Sequence, residues 1–291
     1  MYYIRGMKHL VALFCIIIFL SSCESTQVVP VDQFPIDSTV TEVELENYIN
    51  RAYIAVLNRK PTLTEQSSVF NQLNIDPYHR GIRTTFIESL QADPRARWTA
   101  WQFLSNRLVD GVDTVRLNEE IDAYSYYITN SGTDGEREYW QGLLDRSLAH
   151  FQAYEGWLAA DTSYTQVMRR MFRLPAYDEI NMGTENFVVS VYQHAFHRYP
   201  TDAELASGIS MSDYNWSTLY SSNGNSREDF LAIITAQNEF RQGMIITLFE
   251  QYLSRTPDTH EIVFYLNLLN GGWEFSDLQL RLLTSTEYVN S

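Results

Sequence analysis

Few side chains in this chain have the types and spacing of metal-binding residues. His194 and His197 are three positions apart on a predicted helix, a spacing that can place two metal ligands on one helix face. No third ligand lies near them in the sequence, so we interpret them as solvated surface histidines. His79, His150 and His260 are isolated from one another. We therefore predict that the protein binds no metal and no other cofactor.

Acidic side chains could supply the paired carboxylates that glycan hydrolysis uses. The candidates lie on one probable helix and beside a proline break: Glu119, Glu120, Asp122, Asp178 and Glu179. The chain has 36 acidic residues, so some will lie close together by chance. The sequence lacks the motifs of serine hydrolases, zinc proteases, phosphate loops and dinucleotide sites, and residues 130–136 lack the EF-hand spacing. We therefore predict no catalytic residues.

The N-terminus has the pattern of an export signal. Arg5 and Lys8 precede an apolar run over residues 10–20, about half of the roughly 20 apolar residues that span a bilayer. We predict a signal peptide over residues 1–22. Of the two cysteines, one lies inside this run and the other, Cys23, follows it. The remaining sequence can therefore form no disulfide, cysteine metal site or cysteine nucleophile.

The residues Leu20-Ser21-Ser22-Cys23 resemble the lipobox of bacterial lipoproteins. The resemblance implies that Cys23 is acylated and becomes the first residue of the mature chain. Three acyl chains, each buried CH₂ contributing about 0.8 kcal/mol, would hold the protein permanently at a membrane. The implied location is the bacterial outer membrane, with the periplasmic and the external face both open. Residues 23–40 contain two prolines and no helical period, and we predict that they form a tether.

The negative net charge of the chain limits the classes of molecule that it can bind. The formal charge of −15 becomes −17 when the signal, with Arg5 and Lys8 and no acid, is removed. Phosphate backbones require clustered Lys and Arg, and Lys60 is the only lysine after the signal. Nucleic acid is therefore excluded as a partner. We expect the membrane, through the lipid anchor, and a protein of the cell envelope, with a glycan as the alternative.

Apolar residues from Thr41 onward recur with the helical period, as at Leu45, Tyr48, Ile49 and Ala52. No comparable stretch alternates with a period of two. We therefore predict an all-α body. Residues 221–225, rich in Ser, Asn and Gly, are predicted to form an exposed, mobile loop.

A corner motif occurs three times, with an arginine, a proline two positions later, then Thr or Asp, and a glutamate three positions after that. The residues are Arg59, Pro61, Thr62 and Glu65; Arg198, Pro200, Thr201 and Glu204; Arg255, Pro257, Asp258 and Glu261. A degenerate fourth copy has Asn130, Gly132, Thr133 and Glu136. We predict four tandem units of about three helices each, packed as a helical array. The units cover residues 41–110, 111–183, 184–243 and 244–291.

The corner motif has a structural interpretation. Thr or Asp followed by Glu at the third position fits a capping box, in which two side chains satisfy the first amides of a helix. The proline stops the preceding helix, and the arginine lies near that helix's C-terminus, where the helix dipole favours a cation and where it can reach the glutamate. The motif therefore predicts a helix, a tight corner and a second helix rather than a catalytic site.

The last unit resembles a helical domain of unknown function found in secreted and surface-layer-associated bacterial proteins. The residues that carry the resemblance are Leu253, Arg255, Pro257, Asp258, Tyr265, Leu266, Leu269, Gly271, Ser285, Glu287 and Tyr288. The activity of that family is unassigned, so the resemblance implies a fold and an extracytoplasmic location only. It covers residues 245–291, with a partial match over residues 192–240.

Two functional hypotheses follow from these observations. Stacked helical units build extended faces that usually serve binding, so the first is a non-catalytic scaffold or accessory protein of the envelope. The second is a glycan-binding or glycan-processing lipoprotein, and beside these two a passive spacing role in the envelope stays open. Trp98, Trp101, Trp140 and Trp157 cluster in the middle third of the chain, and we interpret them mainly as core residues. Exposed tryptophans in a groove with acids would favour glycan, whereas a broad apolar patch would favour protein.

Overall fold

The computed structural model describes residues 41–290, which form fifteen helices and one short β-hairpin. The all-α class predicted from the sequence is confirmed. Helices α1 to α5 are Glu42–Leu57, Leu63–Leu73, Arg80–Gln91, Pro94–Val109 and Thr114–Asn130. Helices α6 to α10 are Asp134–Leu158, Tyr164–Arg173, Pro175–Ile180, Thr184–Phe196 and Asp202–Ser212. After β1 (Ser217–Leu219) and β2 (Ser222–Gly224) come α11 to α15: Arg227–Ala236, Asn238–Leu253, Thr259–Asn270, Phe275–Leu283 and Thr286–Asn290.

The apolar stripe predicted for the first helix faces the protein core. Tyr48, Ile49, Ala52 and Val56 of α1 are completely buried, and they belong to one cluster that also includes buried side chains of the last three helices. Among the described residues, no helix is long and apolar enough to cross a bilayer. The body is therefore held together by a shared core to which almost every helix contributes one face.

The beginning and the end of the described chain pack against each other. The Tyr48 hydroxyl donates to the Leu283 carbonyl at 3.2 Å, and the Arg51 guanidinium donates to the Tyr288 carbonyl at 2.6 Å. The Gln91 side chain of α3 donates to the Ser276 carbonyl of α14 at 2.9 Å. The first and the last predicted units are consequently in direct contact.

Two predicted unit boundaries fall between helices and one falls inside a helix. Position 110 lies immediately after α4, and position 184 is the first residue of α9. Position 244 lies within α12, which is continuous from Asn238 to Leu253. Helix α12 therefore connects residues assigned from the sequence to the third and the fourth unit.

Helix α12 crosses α9 at very short range. A Cβ atom placed on Gly243 would lie 1.9 Å from the carbonyl oxygen of Ala195, a distance that no side chain can occupy. Gly243 is buried in the interior of α12. The crossing therefore requires glycine, and it brings the α9 side chains close to α12.

Residues 221–225, predicted to form an exposed, mobile loop, are exposed at positions 221–223 but contain a strand. Ser222–Gly224 pairs with Ser217–Leu219 as an antiparallel hairpin. Its two-residue turn consists of Tyr220 and Ser221, both with positive φ (48° and 63°), the backbone combination of a tight hairpin turn. The turn carries no glycine, so the usual sequence signal for such a hairpin is absent. It places Tyr220 against the corner formed by residues 198–204.

Candidate functional site

The corner motifs form the local structure that their spacing predicts. At the first corner, the Thr62 amide donates to Glu65 Oε2 at 2.7 Å, and the Glu65 amide donates to Thr62 Oγ1 at 3.3 Å. The same reciprocal box is present at the other two corners, where Glu204 pairs with Thr201 and Glu261 with Asp258. Each box satisfies amides at the start of the following helix, which would otherwise lack partners.

At each corner, the arginine forms a bidentate ion pair with the capping glutamate. Arg59 donates to the two carboxylate oxygens of Glu65 at 2.8 and 2.7 Å, and Arg198 donates to those of Glu204 at 2.8 Å each. Arg255 holds Glu261 in the same way, at 2.8 and 2.6 Å. The bond from arginine lowers the pKa of Glu65 and of Glu204 to about 2, so both carboxylates are ionised near neutral pH.

The last two corners hold more groups than the first. Arg198 also donates to both oxygens of Glu239 at 2.5 and 2.9 Å, and Arg255 to both oxygens of Glu287 at 2.5 and 2.7 Å. Tyr220 from the β-hairpin donates to Glu204. The charged atoms of these corners are thus engaged with each other across neighbouring helices. We interpret the corners as structural junctions.

The degenerate corner keeps the capping box and loses the cation. The Thr133 amide donates to Glu136 Oε2 at 3.1 Å, and the Gly132 amide donates to the same oxygen at 3.0 Å. Asn130, at the arginine position, donates instead to the Tyr126 carbonyl within its own helix. This corner joins α5 to α6.

The two paired histidines are partly buried and contact other helices, so they are not the fully solvated pair that the sequence predicted. His194 Nδ1 lies 2.9 Å from the Tyr177 hydroxyl, and His197 Nε2 lies 2.9 Å from Thr247 Oγ1 of α12. Burial lowers the pKa of His194 to about 4. Within residues 41–290, no group of three or more His, Cys, Asp or Glu side chains could hold a metal ion. His197 therefore lies at the α9–α12 crossing, whereas His194 joins α9 to α8.

The isolated His150 is also buried, with 1% of its surface exposed. Its ring lies 5.0 Å from the ring of Trp101, and burial lowers its pKa to about 4. A neutral imidazole in this apolar position is a core side chain.

Most of the carboxylates considered for catalysis are ion-paired. Arg116 lies between Glu120 and Glu179, at 3.0 and 3.3 Å. Asp178 accepts hydrogen bonds from Arg146 and Arg227, both at 2.7 Å. Glu119 and Asp122 are exposed on α5. These ion pairs join α5, α6, α8 and α11 to one another.

A cluster of aromatic side chains lies on the outer part of the α5–α6 helical hairpin. Tyr124 and Tyr127 of α5 stack on Trp140 of α6, with ring centroids 6.0 and 4.6 Å apart. Tyr139 meets Trp140 edge-on at 4.9 Å, and Tyr126 meets Tyr127 at 5.8 Å. We call these five residues the aromatic tip.

The aromatic tip is open to solvent. Tyr126 is 64% exposed, Tyr139 62% and Tyr127 45%. Only its centre, Tyr124 and Trp140, is partly covered. The rings thus form a packed, exposed cluster.

The tryptophan cluster considered in the sequence divides between core and surface. Trp101 and Trp157 are buried in the core, whereas Trp98 and Trp140 are partly exposed. The tyrosines beside Trp140 were not selected from the sequence. Their signal was the run Tyr124-Ser125-Tyr126-Tyr127.

A cleft of about 360 Å³ lies where α3, α4 and α14 meet the loop between α6 and α7. Two of its polar side chains bond within the protein: Gln91 donates to Gln279 Oε1 at 2.8 Å, and Arg97 to the Trp157 carbonyl at 3.2 Å. The Trp157 and Phe275 residues that line it are each 4% exposed. These rings are therefore core side chains with little surface open to a ligand.

No protein-family model, no curated protein and no solved structure matches this chain, so its own geometry has to carry the functional argument.

Proposed function

We propose that this protein is a non-catalytic, lipid-anchored envelope protein that binds a partner protein through the aromatic tip. The observation that carries the proposal is the exposure of Tyr126, Tyr127 and Tyr139 together at one end of a helical hairpin. Contiguous exposed apolar patches are uncommon on soluble surfaces and mark interaction sites. Tyr and Trp are also the residues that dominate binding energy at protein interfaces.

The packing of the tip supports this role. Trp140 contacts the rings of Tyr124, Tyr127 and Tyr139. This packing restricts the rotamers of these rings before a partner binds. Such preorganisation reduces the entropy cost of association.

The proposed function includes the predicted lipid anchor at Cys23. Cys23 and the tether of residues 23–40 lie outside the described residues, and their interpretation depends on the lipobox resemblance. We propose that the acylated cysteine holds the helical body at the outer membrane. The variant Cys23→Ser should move the protein from the membrane to the soluble fraction. Retention of this variant in the membrane fraction would refute the anchor.

Photo-crosslinking in intact cells tests the partner. A photoreactive phenylalanine analogue at Tyr139 should give one discrete protein adduct. The same analogue at Tyr199, which is 69% exposed next to another corner, serves as the matched control and should give none. Equal labelling from both positions, or none from Tyr139, would contradict the proposed site.

Glycan binding is the second candidate, because exposed Tyr126 and Tyr139 could also stack on sugar rings. Asp122 and Glu138, both exposed on the same two helices, could accept hydrogen bonds from hydroxyl groups. Titration with neutral envelope oligosaccharides tests this alternative. Saturable binding that Tyr139→Ser removes would favour glycan over protein.

A further inference from the structure

We infer that the surface that docks on the aromatic tip belongs to a protein and combines an apolar centre with lysine or arginine at its edge. This inference rests on the proposed function and specifies the partner's chemistry. The α5–α6 segment, residues 114–158, carries eight acidic side chains against three arginines, a formal net charge of −5. The aromatic tip therefore lies within an acidic helical hairpin.

Several of these acids are close to the tip along the two helices. Asp122 lies one helical turn before Tyr126, and Glu138 is adjacent to Tyr139. The arginines of this segment form ion pairs with other acids. Arg116 pairs with Glu120 at 3.0 Å, and Arg137 pairs with Asp134 at 2.9 Å. Asp122 and Glu138 have no ion-pair partner in residues 41–290, so they are available to a cation from outside.

The negative charge of the α5–α6 hairpin favours some of the molecules that could bind the aromatic tip over others. A second copy of this chain would bring one net charge of −5 against another, and anionic lipid headgroups would be repelled in the same way. A neutral glycan could donate hydrogen bonds to the carboxylates but would gain no charge attraction from them. A protein surface with basic residues around an apolar centre gains both from ring burial and from charge complementarity.

A glycine on the same helix supports close contact by a partner. Gly142 lies in the interior of α6, three residues after Tyr139, and a Cβ atom placed on it would meet nothing within 4 Å. Glycine weakens a helix interior relative to alanine. Nothing within residues 41–290 needs the space, whereas a partner that packs beside Tyr139 would. We therefore include Gly142 in the docking surface.

The test uses the full-length protein in mild detergent and three defined probes. Two 18-residue amphipathic helical peptides share one Leu pattern, with Lys on the polar face of one and Glu on that of the other. The third probe is a neutral oligosaccharide. Binding is measured by fluorescence anisotropy at low and at moderate salt for four forms: the unaltered chain, Tyr126→Ser/Tyr139→Ser, Gly142→Ala and, as control, Tyr199→Ser.

The Leu/Lys peptide should bind at least about tenfold more tightly than the Leu/Glu peptide, and its affinity should fall as salt rises. The double tyrosine variant should lose about tenfold or more of this affinity, the range of an interface hot spot. Gly142→Ala should weaken binding severalfold while its melting temperature stays equal or rises. Tyr199→Ser should bind like the unaltered chain.

Equal binding of both peptides, or Leu/Lys binding that the tyrosine changes do not affect, would overturn the inference. A crosslinked partner protein at Tyr139 together with equal peptide binding would overturn only the basic character of the partner. Tip-dependent binding of the oligosaccharide instead would overturn both this inference and the proposed protein partner. An unchanged affinity of Gly142→Ala would remove Gly142 from the docking surface.

Discussion

Replacement of the corner arginines should affect stability unequally, in an order set by their partners. Arg198 holds two carboxylates, Glu204 and Glu239, and lies over the rings of Tyr192 and Phe196 at 5.3 and 5.5 Å. Arg59 also lies over one ring, but in residues 41–290 it holds one carboxylate, Glu65. Arg198→Ala should therefore destabilise the protein more than Arg59→Ala.

The expected difference follows from these contacts. Both guanidinium groups are about one-third exposed (33% and 30%), so solvent screening reduces each bidentate pair to about 1 kcal/mol. The stacking contacts add about 0.5–1 kcal/mol. We expect a loss of about 3 kcal/mol for Arg198→Ala and about 1.5 kcal/mol for Arg59→Ala. For a body of this size these losses correspond to about 6–12 and 3–6 °C in melting temperature.

Urea unfolding followed by circular dichroism at 222 nm measures both free energies of unfolding. The variant Glu239→Gln provides an internal control, because it removes the second carboxylate from the Arg198 corner. In that background, the loss on Arg198→Ala should fall by about 1 kcal/mol, towards the loss expected for Arg59→Ala. Equal losses at the two corners in the unaltered chain, or a loss below about 1 kcal/mol at Arg198, would refute this account of the corner.

Three further predictions concern capping, pH and helix packing. Thr201→Ala should lower the free energy of unfolding by about 1 kcal/mol through loss of the cap, with binding at the aromatic tip unchanged; a selective loss of binding would show that the corner is a functional site. The pKa values of His150 and His194 fall from 6.5 to about 4, so the unfolded chain takes up protons between these values and the folded chain does not. Stability should therefore fall as pH is lowered from 6.5 towards 4, and a urea midpoint independent of pH over this range would contradict both burial assignments. Gly243→Ala should reduce stability by more than about 2 kcal/mol in thermal unfolding, because its Cβ would collide with the Ala195 backbone, and a neutral effect would rule out the close crossing.

The local features of this fold could be predicted from the sequence because their causes are local. A capping box needs two side chains three positions apart. The first helical turn then brings each side chain within hydrogen-bond distance of the other residue's backbone amide. Thr62, Thr133, Thr201 and Asp258 all head such boxes in the structure. The helical spacing of the apolar residues in α1 likewise predicts which face of that helix is buried.

Features that depend on contacts distant in sequence could not be predicted. His194 and His197 have the spacing of an exposed pair, but contacts with Tyr177 of α8 and Thr247 of α12 partly bury them. The hydrogen bonds from Tyr48 and Arg51 to the last helical segments span more than 200 residues. No local periodicity reports contacts at such a separation.

The aromatic tip could be predicted from the sequence only in part. The tyrosine run of α5 and the Tyr139-Trp140 pair of α6 are visible in the sequence. Aromatic residues at helical spacing usually belong to a core, and that interpretation is correct for Trp101 and Trp157. The difference arises from the length of α5 and α6, 17 and 25 residues, whose outer turns carry most of their side chains exposed.

Co-purification tests the central claim, that the aromatic tip is a protein-binding surface, most directly. The native protein, tagged at its C-terminus and extracted in mild detergent, is compared with Tyr126→Ser/Tyr139→Ser extracted in the same way. The account predicts one partner protein in stoichiometric amount with the unaltered chain and its absence from the variant, at equal melting temperature. A protein that is isolated alone, or a partner that the variant retains, would contradict it.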